Sequence, residues 1–95
     1  MDRLAPSVTL EFYRRRDCAA CDEARATLQQ VLEDRATRGE PVPRVRYIDV
    51  DSDELLRTTH GPRVPVLAAS GQELSLAAGY RRIARFVDMA SGQLA

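Results

Sequence analysis

The sequence predicts one α/β domain spanning residues 1–95, in which a four-stranded mixed sheet is flanked by helices. Two observations lead to this prediction. Short runs of alternating or apolar residues, typical of strands, are separated by longer runs with apolar residues three and four positions apart, typical of helices. The last two strand-like runs are joined only by Ser70-Gly71-Gln72, a hairpin turn that adds an antiparallel edge to an otherwise parallel sheet. The expected order is β-α-β-α-β-β-α.

The first strand and the first helix flank both cysteines of the chain. Residues 8–13 alternate and predict a strand, and residues 14–17 predict a polar loop. Residues 21–38 predict a helix with one apolar face. That face consists of Cys21, Ala24, Leu28, Val31 and Leu32. Gly39 is expected to cap the end of this helix.

Two short elements follow in the middle of the chain. Residues 45–50 predict the second strand, and residues 53–59 predict a short helix. Asp51 or Ser52 is expected to cap that helix, because both side chains can accept hydrogen bonds from its first N–H groups. The run His60-Gly61-Pro62 is expected to end it.

Two strands and a helix complete the predicted domain. Residues 64–69 and 74–78 predict the third and fourth strands, and Gly79 then interrupts the chain. Residues 80–93 predict the last helix. Its inner face is expected to consist of Ile83, Phe86, Val87, Ala90 and Leu94.

The charge balance limits the classes of partner. The chain has 14 basic and 14 acidic residues, and the resulting net charge of zero argues against nucleic acid or an anionic membrane as the main partner. No stretch approaches the ~18 consecutive apolar residues of a membrane span. The residues before the first strand are too few and too polar for a secretory signal. We therefore expect a cytoplasmic location, and a monomer.

The two cysteines, Cys18 and Cys21, lie where the first strand leads into the first helix. A helix N-terminus offers unpaired backbone N–H groups and the positive end of the helix dipole, which favour a thiolate over a thiol. Cys18 is therefore the candidate attacking thiol. Cys21 lies within one turn of it, close enough to form a disulfide, and is the candidate resolving thiol. In a reducing cytosol such a pair is more often catalytic or metal-binding than structural.

Some charged neighbours of Cys18 favour ionisation of its thiol, and others oppose it. Three basic residues nearby favour the thiolate, and three acidic residues oppose it. The basic residues are Arg14, Arg15 and Arg16, and the acidic residues are Asp17, Asp22 and Glu23. We therefore expect the pKa of Cys18 to be lowered, but not to an extreme value.

Other interpretations of the cysteines stay open. The two residues fit inert, buried positions in a helix start that is rich in small residues. They also fit a zinc site, but structural zinc takes four ligands, so His60 would have to approach the cysteines or two chains would have to share the metal. A lone histidine at a helix end is more often a capping or surface residue. A binding module without catalytic turnover is a further possibility.

Further residues give this pattern a family resemblance. Tyr13 precedes Cys18 by five residues, and Arg15 falls at the position of the lysine in a Y-x-K-x-x-C pattern. The run Arg63-Val64-Pro65-Val66-Leu67 follows later in the chain. Together with the predicted order of elements, these motifs resemble the glutaredoxin-like branch of the thioredoxin fold. The resemblance covers essentially the whole chain.

The resemblance implies which residues form a substrate-binding site. It implies that Val64–Pro65 is a cis peptide facing the cysteines, and that the proline keeps metals away from them. It also implies that Val64 offers its backbone groups to a substrate chain, as an added strand would. Arg15, Gly79 and Tyr80 complete the expected substrate-binding residues.

The resemblance also implies an activity. The expected enzyme is a thiol–disulfide oxidoreductase that reduces protein or small disulfides and forms a Cys18–Cys21 disulfide in the process. No bound cofactor or metal is expected. Glutathione or another thiol is a possible electron donor, and a reductase is a possible partner.

The chain departs from the family pattern at positions that affect the choice of donor. Two alanines stand between the cysteines, where the common glutaredoxin has Pro and Tyr. In place of a G-G-x-D-type glutathione-binding segment the chain has Ala78-Gly79-Tyr80-Arg81-Arg82, which is closer to the single glycine of thioredoxins. Phe12 stands where thioredoxins place a buried acid, and Glu11 should point to the other face of the strand. The arginines at 15, 81 and 82 either attract a carboxylate or are simply solvated.

Overall fold

The computed structural model describes residues 8–92, which form a mixed four-stranded sheet with helices packed on it. The strands are β1 (Thr9–Arg14), β2 (Arg44–Asp49), β3 (Val66–Ala69) and β4 (Gln72–Leu74), in the order β2-β1-β3-β4. β1 is parallel to β2 and antiparallel to β3, and β3 is antiparallel to β4. The predicted α/β class and the predicted order of elements are confirmed.

The helices are α1 (Ala19–Thr37), α2 (Glu54–His60) and α3 (Tyr80–Gly92). Two short 3-10 turns, Val50–Ser52 and Gly61–Arg63, lie on either side of α2. Within residues 8–92, no helix combines the length and the apolar character needed to cross a membrane.

The end of α1 is the glycine cap that the sequence predicts. Gly39 has a φ of +77°, the left-handed conformation that glycine adopts at little cost. Its N–H donates to the carbonyl of Ala36 (3.0 Å), and the N–H of Glu40 donates to the carbonyl of Arg35 (2.9 Å). These bonds satisfy carbonyls at the end of α1 that have no partner within the helix.

The cap of α2 differs from the prediction. The carboxylate of Asp53, rather than Asp51 or Ser52, accepts hydrogen bonds from the first N–H groups of α2, at 2.8 and 3.2 Å. Asp51 and Ser52 belong instead to the 3-10 turn before α2, which Asp49 caps. The sequence offers three consecutive residues that can cap a helix, Asp51, Ser52 and Asp53, and the extra turn determines which of them does so.

The third strand is shorter than predicted, and the fourth lies earlier in the chain. β3 begins after the cis peptide Val64–Pro65, and β4 (Gln72–Leu74) shares only Leu74 with the predicted strand over residues 74–78. The rest of that predicted strand is not extended, because Leu76 has a φ of +51°. Ser70 and Gly71 both have positive φ, as a two-residue hairpin turn requires, so the predicted hairpin is confirmed with Gln72 in the strand rather than in the turn.

The main core lies on the face of the sheet that carries α1 and α3. Phe12 and Leu10 of β1 and Leu67 of β3 are fully buried there, and Leu28 of α1 packs in the same cluster. The predicted inner face of α3 is confirmed at the four positions that the structure describes, and Leu94 lies outside the described residues. Those four positions are Ile83, Phe86, Val87 and Ala90.

A smaller apolar cluster lies on the opposite face of the sheet, because successive side chains of a strand point to opposite sides. Tyr13 of β1 and Val66 of β3 are register partners there, and Val50 completes the buried set. Since Tyr13 is next to the last residue of β1 and Val66 is the first residue of β3, the segments after β1 and before β3 lie at the same edge of the sheet. These segments carry the cysteines and Pro65.

Candidate redox site

Cys18 and Cys21 form a disulfide at the start of α1. Cys18 is the N-cap residue, with an extended backbone (φ −121°, ψ 101°), and Cys21 lies in the first turn of the helix. The N–H of Cys21 donates to the Sγ of Cys18 at 3.0 Å. An N–H of the first helical turn is thus directed at the sulfur, which is the arrangement that stabilises a thiolate once the disulfide is reduced.

The two sulfur-bearing residues differ in exposure. Cys21 is 1% exposed and belongs to the buried residues of α1, whereas Cys18 is half-exposed. The helix explains this difference, because Cys21 falls on the same apolar face as Ala24 and Leu28, and the N-cap residue lies outside that face. A substrate in solvent can therefore reach Cys18 but not Cys21.

The predicted cis peptide at Val64–Pro65 is confirmed, at the same edge of the sheet as the disulfide. The carbonyl of Pro65 accepts a hydrogen bond from the N–H of Ala77 (2.8 Å), and the carbonyl of Arg63 accepts one from the N–H of Leu76 (2.9 Å). The N–H of Val64 lies 3.5 Å from the carbonyl oxygen of Gly61, at the long limit of a hydrogen bond. Substrate binding by the backbone of Val64 stays a prediction.

The side chain of Arg63 connects the cis-proline segment to neighbouring elements through hydrogen bonds. Its guanidinium donates to the carbonyl of Thr59 (2.9 Å) and to a carboxylate oxygen of Glu73 (3.0 Å), and it also donates to the hydroxyl of Ser75. It lies 3.1 Å from the Nδ1 of His60. The end of α2, the cis-proline segment and β4 are thus joined through one side chain.

His60 is buried rather than at the surface, and although it precedes the 3-10 turn Gly61–Arg63, its side chain makes no capping hydrogen bond to that turn. It is 7% exposed, and its ring stacks on the ring of Tyr13 with centroids 4.0 Å apart. Among the residues that the structure describes, no group of three or more His, Cys, Asp or Glu side chains is placed to hold a metal ion. The zinc interpretation that requires His60 near the cysteines has no support from this placement.

A groove of about 250 Å³ begins at Ala20, the residue before Cys21. It lies between the first turns of α1 and the segment that leads into α3, and Gly79 contributes to its wall. The lining residues are Ala20, Glu23, Ala24, Thr27, Ala78 and Gly79. One of the two alanines between the cysteines therefore shares a groove with Gly79, one of the predicted substrate-binding residues.

The arginines of the loop before Cys18 are engaged with carboxylates of other elements. The Nε of Arg15 lies 3.2 Å from a carboxylate oxygen of Asp51, and the Nε of Arg16 lies 3.7 Å from one of Asp49. These acids partly cancel the charges that the sequence suggests would favour a thiolate at Cys18. Substrate binding by Arg15 would require it to share or leave its carboxylate partner.

Tyr80 is directed at the C-terminal part of α1 rather than at its start. Its hydroxyl donates a short hydrogen bond to a carboxylate oxygen of Asp34. This hydrogen bond lowers the pKa of Asp34 below its ordinary value and raises the pKa of the Tyr80 phenol. The side chain of Tyr80 is thus engaged away from the groove, while the backbone of the neighbouring Gly79 lines it.

No acid lies on the core side of the strand before the cysteines. Phe12 is fully buried there, and Glu11 points to the other face, as its neighbouring position in a strand requires. On that face Glu11 accepts a hydrogen bond from the hydroxyl of Tyr13 at 3.0 Å. Burial, and then this hydrogen bond, raises the pKa of Tyr13.

Comparisons with known proteins agree with this geometry. The protein-family model described as a glutaredoxin-like domain (DUF836) matches residues 9–89. The chain is 33% identical to the Northeast Structural Genomics target protein XcR50 from X. campestris, with a TM-score of 0.69 over 85% of this chain and 97% of that one. A malarial protein is 13% identical, and it matches with a TM-score of 0.59 over 90% of this chain and 98% of its own, which shows a shared fold. No curated protein was found to match the chain.

Proposed function

Because this chain belongs to the glutaredoxin-like domain family, we propose that it is a thiol–disulfide oxidoreductase in which Cys18 attacks the substrate and Cys21 resolves the intermediate. The observation that carries this proposal is the contrast between the two cysteines. Cys18 is half-exposed at the helix N-terminus and accepts an N–H hydrogen bond, whereas Cys21 is buried directly behind it.

The proposed reaction consists of two exchanges. The Cys18 thiolate attacks one sulfur of a substrate disulfide, a Cys18–substrate bond forms, and the other half of the substrate leaves as a thiolate. The Cys21 thiolate then attacks the Cys18 sulfur, which releases the second half and closes the Cys18–Cys21 disulfide. The substrate gains two electrons and the protein loses two. A donor thiol or a reductase restores the dithiol by the same exchanges in reverse.

The surroundings of the disulfide support protein or low-molecular-weight disulfides as substrates, because Cys18 is partly exposed and a groove lies next to it at Ala20. The proposal includes glutathione, another thiol or a reductase as the electron donor, and a bound cofactor plays no part in it. It places the protein in the cytoplasm, where such pairs serve as catalysts rather than as structural links. It requires no partner besides substrate and donor, and a monomer suffices.

The test is a coupled assay with a mixed-disulfide substrate, for the natural chain and for Cys18→Ser and Cys21→Ser. We expect turnover by the natural chain and none by Cys18→Ser. Cys21→Ser should accumulate a covalent adduct on Cys18, which mass spectrometry detects. Full activity of Cys18→Ser would overturn the assignment of roles. Equilibration of the pair against glutathione then gives its reduction potential and indicates which class of donor can drive it.

A second candidate is a binding module that has the fold but lacks turnover. The partly cancelled charge of the loop arginines favours this candidate, because it makes the Cys18 thiol less reactive. Reduced protein would then show no turnover with any thiol donor, and Cys18 would resist alkylation at neutral pH. Rapid alkylation confined to Cys18 would favour the oxidoreductase.

A further inference from the structure

Leu76 combines two features that leucine rarely shows together. Its side chain is 58% exposed, and its backbone has a φ of +51°. Leucine seldom adopts the left-handed region, because its Cβ approaches the following carbonyl oxygen too closely. Burial in the core does not explain this conformation, since most of the side chain remains in solvent.

Hydrogen bonds to the cis-proline segment hold Leu76 in this conformation. Its N–H donates to the carbonyl of Arg63, and the next N–H, that of Ala77, donates to the carbonyl of Pro65. On the other side, Nη1 of Arg82 lies 3.5 Å from the carbonyl oxygen of Leu76. The backbone of this exposed leucine is thus fixed to the cis-proline segment, which lies at the same edge of the sheet as the disulfide.

Leu76 lies two residues before the segment that lines the groove. That segment includes Ala78, which lines the groove together with Ala20, the residue that stands between the cysteines. Two residues span at most about 7 Å, so the Cα atoms of Leu76 and Ala78 are no further apart than this. A substrate segment that lies in the groove at Ala20 therefore comes near an exposed leucine.

We infer that Leu76 determines specificity, by selecting polypeptide disulfides in which a large apolar residue adjoins the cysteine. This inference rests on the proposed function and adds a substrate class to it. An apolar side chain that covers Leu76 removes apolar surface of both partners from water. Because the backbone of Leu76 is already held, little additional ordering is needed on binding.

The main competing substrate gains nothing from Leu76. The disulfide of glutathione carries carboxylates and has no large apolar side chain, so Leu76 would gain no apolar contact. Glu23, which lines the groove, would repel these carboxylates, whereas Arg82 beside Leu76 would attract them, so the apolar contact distinguishes the two substrates. The occupant that fits both features is an extended segment of a protein substrate without acidic residues next to its cysteine.

The experiment compares two peptides that differ only in the residue before a cysteine held in a mixed disulfide, leucine in one and serine in the other. We expect kcat/KM to favour the leucine peptide by about fivefold in the natural chain. Leu76→Ala and Leu76→Asn should reduce this ratio to about one, while the rate with hydroxyethyl disulfide changes less than about twofold. Asparagine tolerates positive φ, so Leu76→Asn keeps the loop conformation even if alanine disturbs it.

The matched control is Leu55→Ala. Leu55 is 73% exposed on α2 and has an ordinary helical backbone, so its removal should leave the peptide ratio unchanged. A ratio near one in the natural chain, or a ratio that both Leu76 variants retain, would overturn the inference.

Failure of the proposed function gives a different result, because neither the peptides nor hydroxyethyl disulfide would then react. In that case the inference is tested by binding alone. The two peptides, with their cysteine S-methylated, are titrated into the protein, and NMR chemical-shift changes measure their affinities. A preference for the leucine peptide that Leu76→Ala removes would support it. Equal binding of the two peptides would refute it.

Discussion

The guanidinium of Arg15 lies over the α-carbon of Gly61, so that a Cβ added to Gly61 would come within 2.8 Å of Nη2. Arg15 belongs to the loop before Cys18, and Gly61 opens the 3-10 turn that leads to Val64–Pro65. The φ of Gly61 is −49°, which any residue adopts, so glycine is needed here for space and not for backbone freedom. The two loops of the candidate site are thus packed against each other through this contact.

This contact predicts coupling between the two positions. In the natural chain, Gly61→Ala displaces Arg15 and should change the free energy of unfolding by less than about 1 kcal/mol, because an exposed ion pair contributes little. In an Arg15→Ala background the same change should stabilise the fold by about 0.4–1 kcal/mol, because alanine restricts the unfolded chain. Urea denaturation of the four chains measures the coupling. Equal effects of Gly61→Ala in both backgrounds would show that Arg15 does not restrict the position.

Removal of the charge of Asp51 should make Cys18 more reactive. Asp51 binds both Arg15 and Arg57 at 3.2 Å, so Asp51→Asn leaves two guanidinium groups without their shared carboxylate. The added positive charge next to the loop favours a thiolate at Cys18. We expect reduced Asp51→Asn to be alkylated by iodoacetamide roughly two- to threefold faster at pH 7. Arg15→Ala combined with Asp51→Asn is the control and should lose most of this gain, and an unchanged rate in the single variant would contradict the prediction.

Arg35 is the buried charge of the fold and should be important for its stability. It is 5% exposed, its Nε donates to the carbonyl of Pro41 at 2.8 Å, and it forms a short ion pair with Asp88 of α3. Arg35→Ala removes these contacts and leaves a cavity, so we expect a loss of about 2–3 kcal/mol in the free energy of unfolding. Arg38→Ala, at the residue that caps the same helix, is the control, because Arg38 is exposed and its ion pair with Glu40 lies at the surface. Similar losses in both variants would show that burial of Arg35 contributes nothing.

Gly39 should be required for its conformation, in contrast to Gly61. A Cβ at Gly39 would meet no atom within 4 Å, but its φ of +77° is costly for any other L residue except asparagine and aspartate. We expect Gly39→Ala to lower the free energy of unfolding by about 1 kcal/mol and Gly39→Asn by clearly less. Gly92→Ala is the control, since Gly92 is helical and also has open space around it. If Gly39→Ala were as stable as the natural chain, the left-handed cap would not be needed.

Local signals in the sequence predicted much of the site. The position of the cysteines between strand and helix, the glycine cap at Gly39 and the inner face of α3 each depend on residues a few positions apart. Arg35 could also have been found, because it continues the spacing of Leu28 and Val31 along the buried face of α1. The cis peptide at Val64–Pro65 followed from the family resemblance, since local sequence alone favours trans.

The contacts that tie the loops together could not be predicted in this way. Arg15 pairs with Asp51, 36 residues away, and the ring of His60 at the end of α2 stacks on Tyr13 of β1. Each depends on the tertiary arrangement, and the sequence contains many other arginines and acids that could pair equally well. Leu76 gave no signal either, because its left-handed backbone results from hydrogen bonds to Arg63 across the cis-proline segment.

The hydrogen bond between Tyr80 and Asp34 predicts a pH effect with a definite sign. It lowers the pKa of Asp34 in the folded chain below the ordinary value of 3.8. A lowered pKa in the folded state means that the associated stability is present above pH 3.8 and is lost as the pH falls through the folded pKa. Tyr80→Phe removes the donor, so the pKa of Asp34 should rise toward its ordinary value. An NMR titration of the Asp34 carboxyl carbon in both chains measures the shift.

Gln30→Ala is the matched comparison for this last prediction, because Gln30 also donates to Asp34, at 2.9 Å, and contributes less to the lowered pKa. Its removal should raise the pKa of Asp34 in the same direction but by less than Tyr80→Phe does. The phenol of Tyr80 should show the opposite effect, since its pKa is raised mainly by the same hydrogen bond and should fall toward 10 in Asp34→Asn. If Tyr80→Phe left the titration of Asp34 unchanged, Tyr80 would be free to turn toward Gly79 and the groove, and its predicted place in the substrate site would gain support.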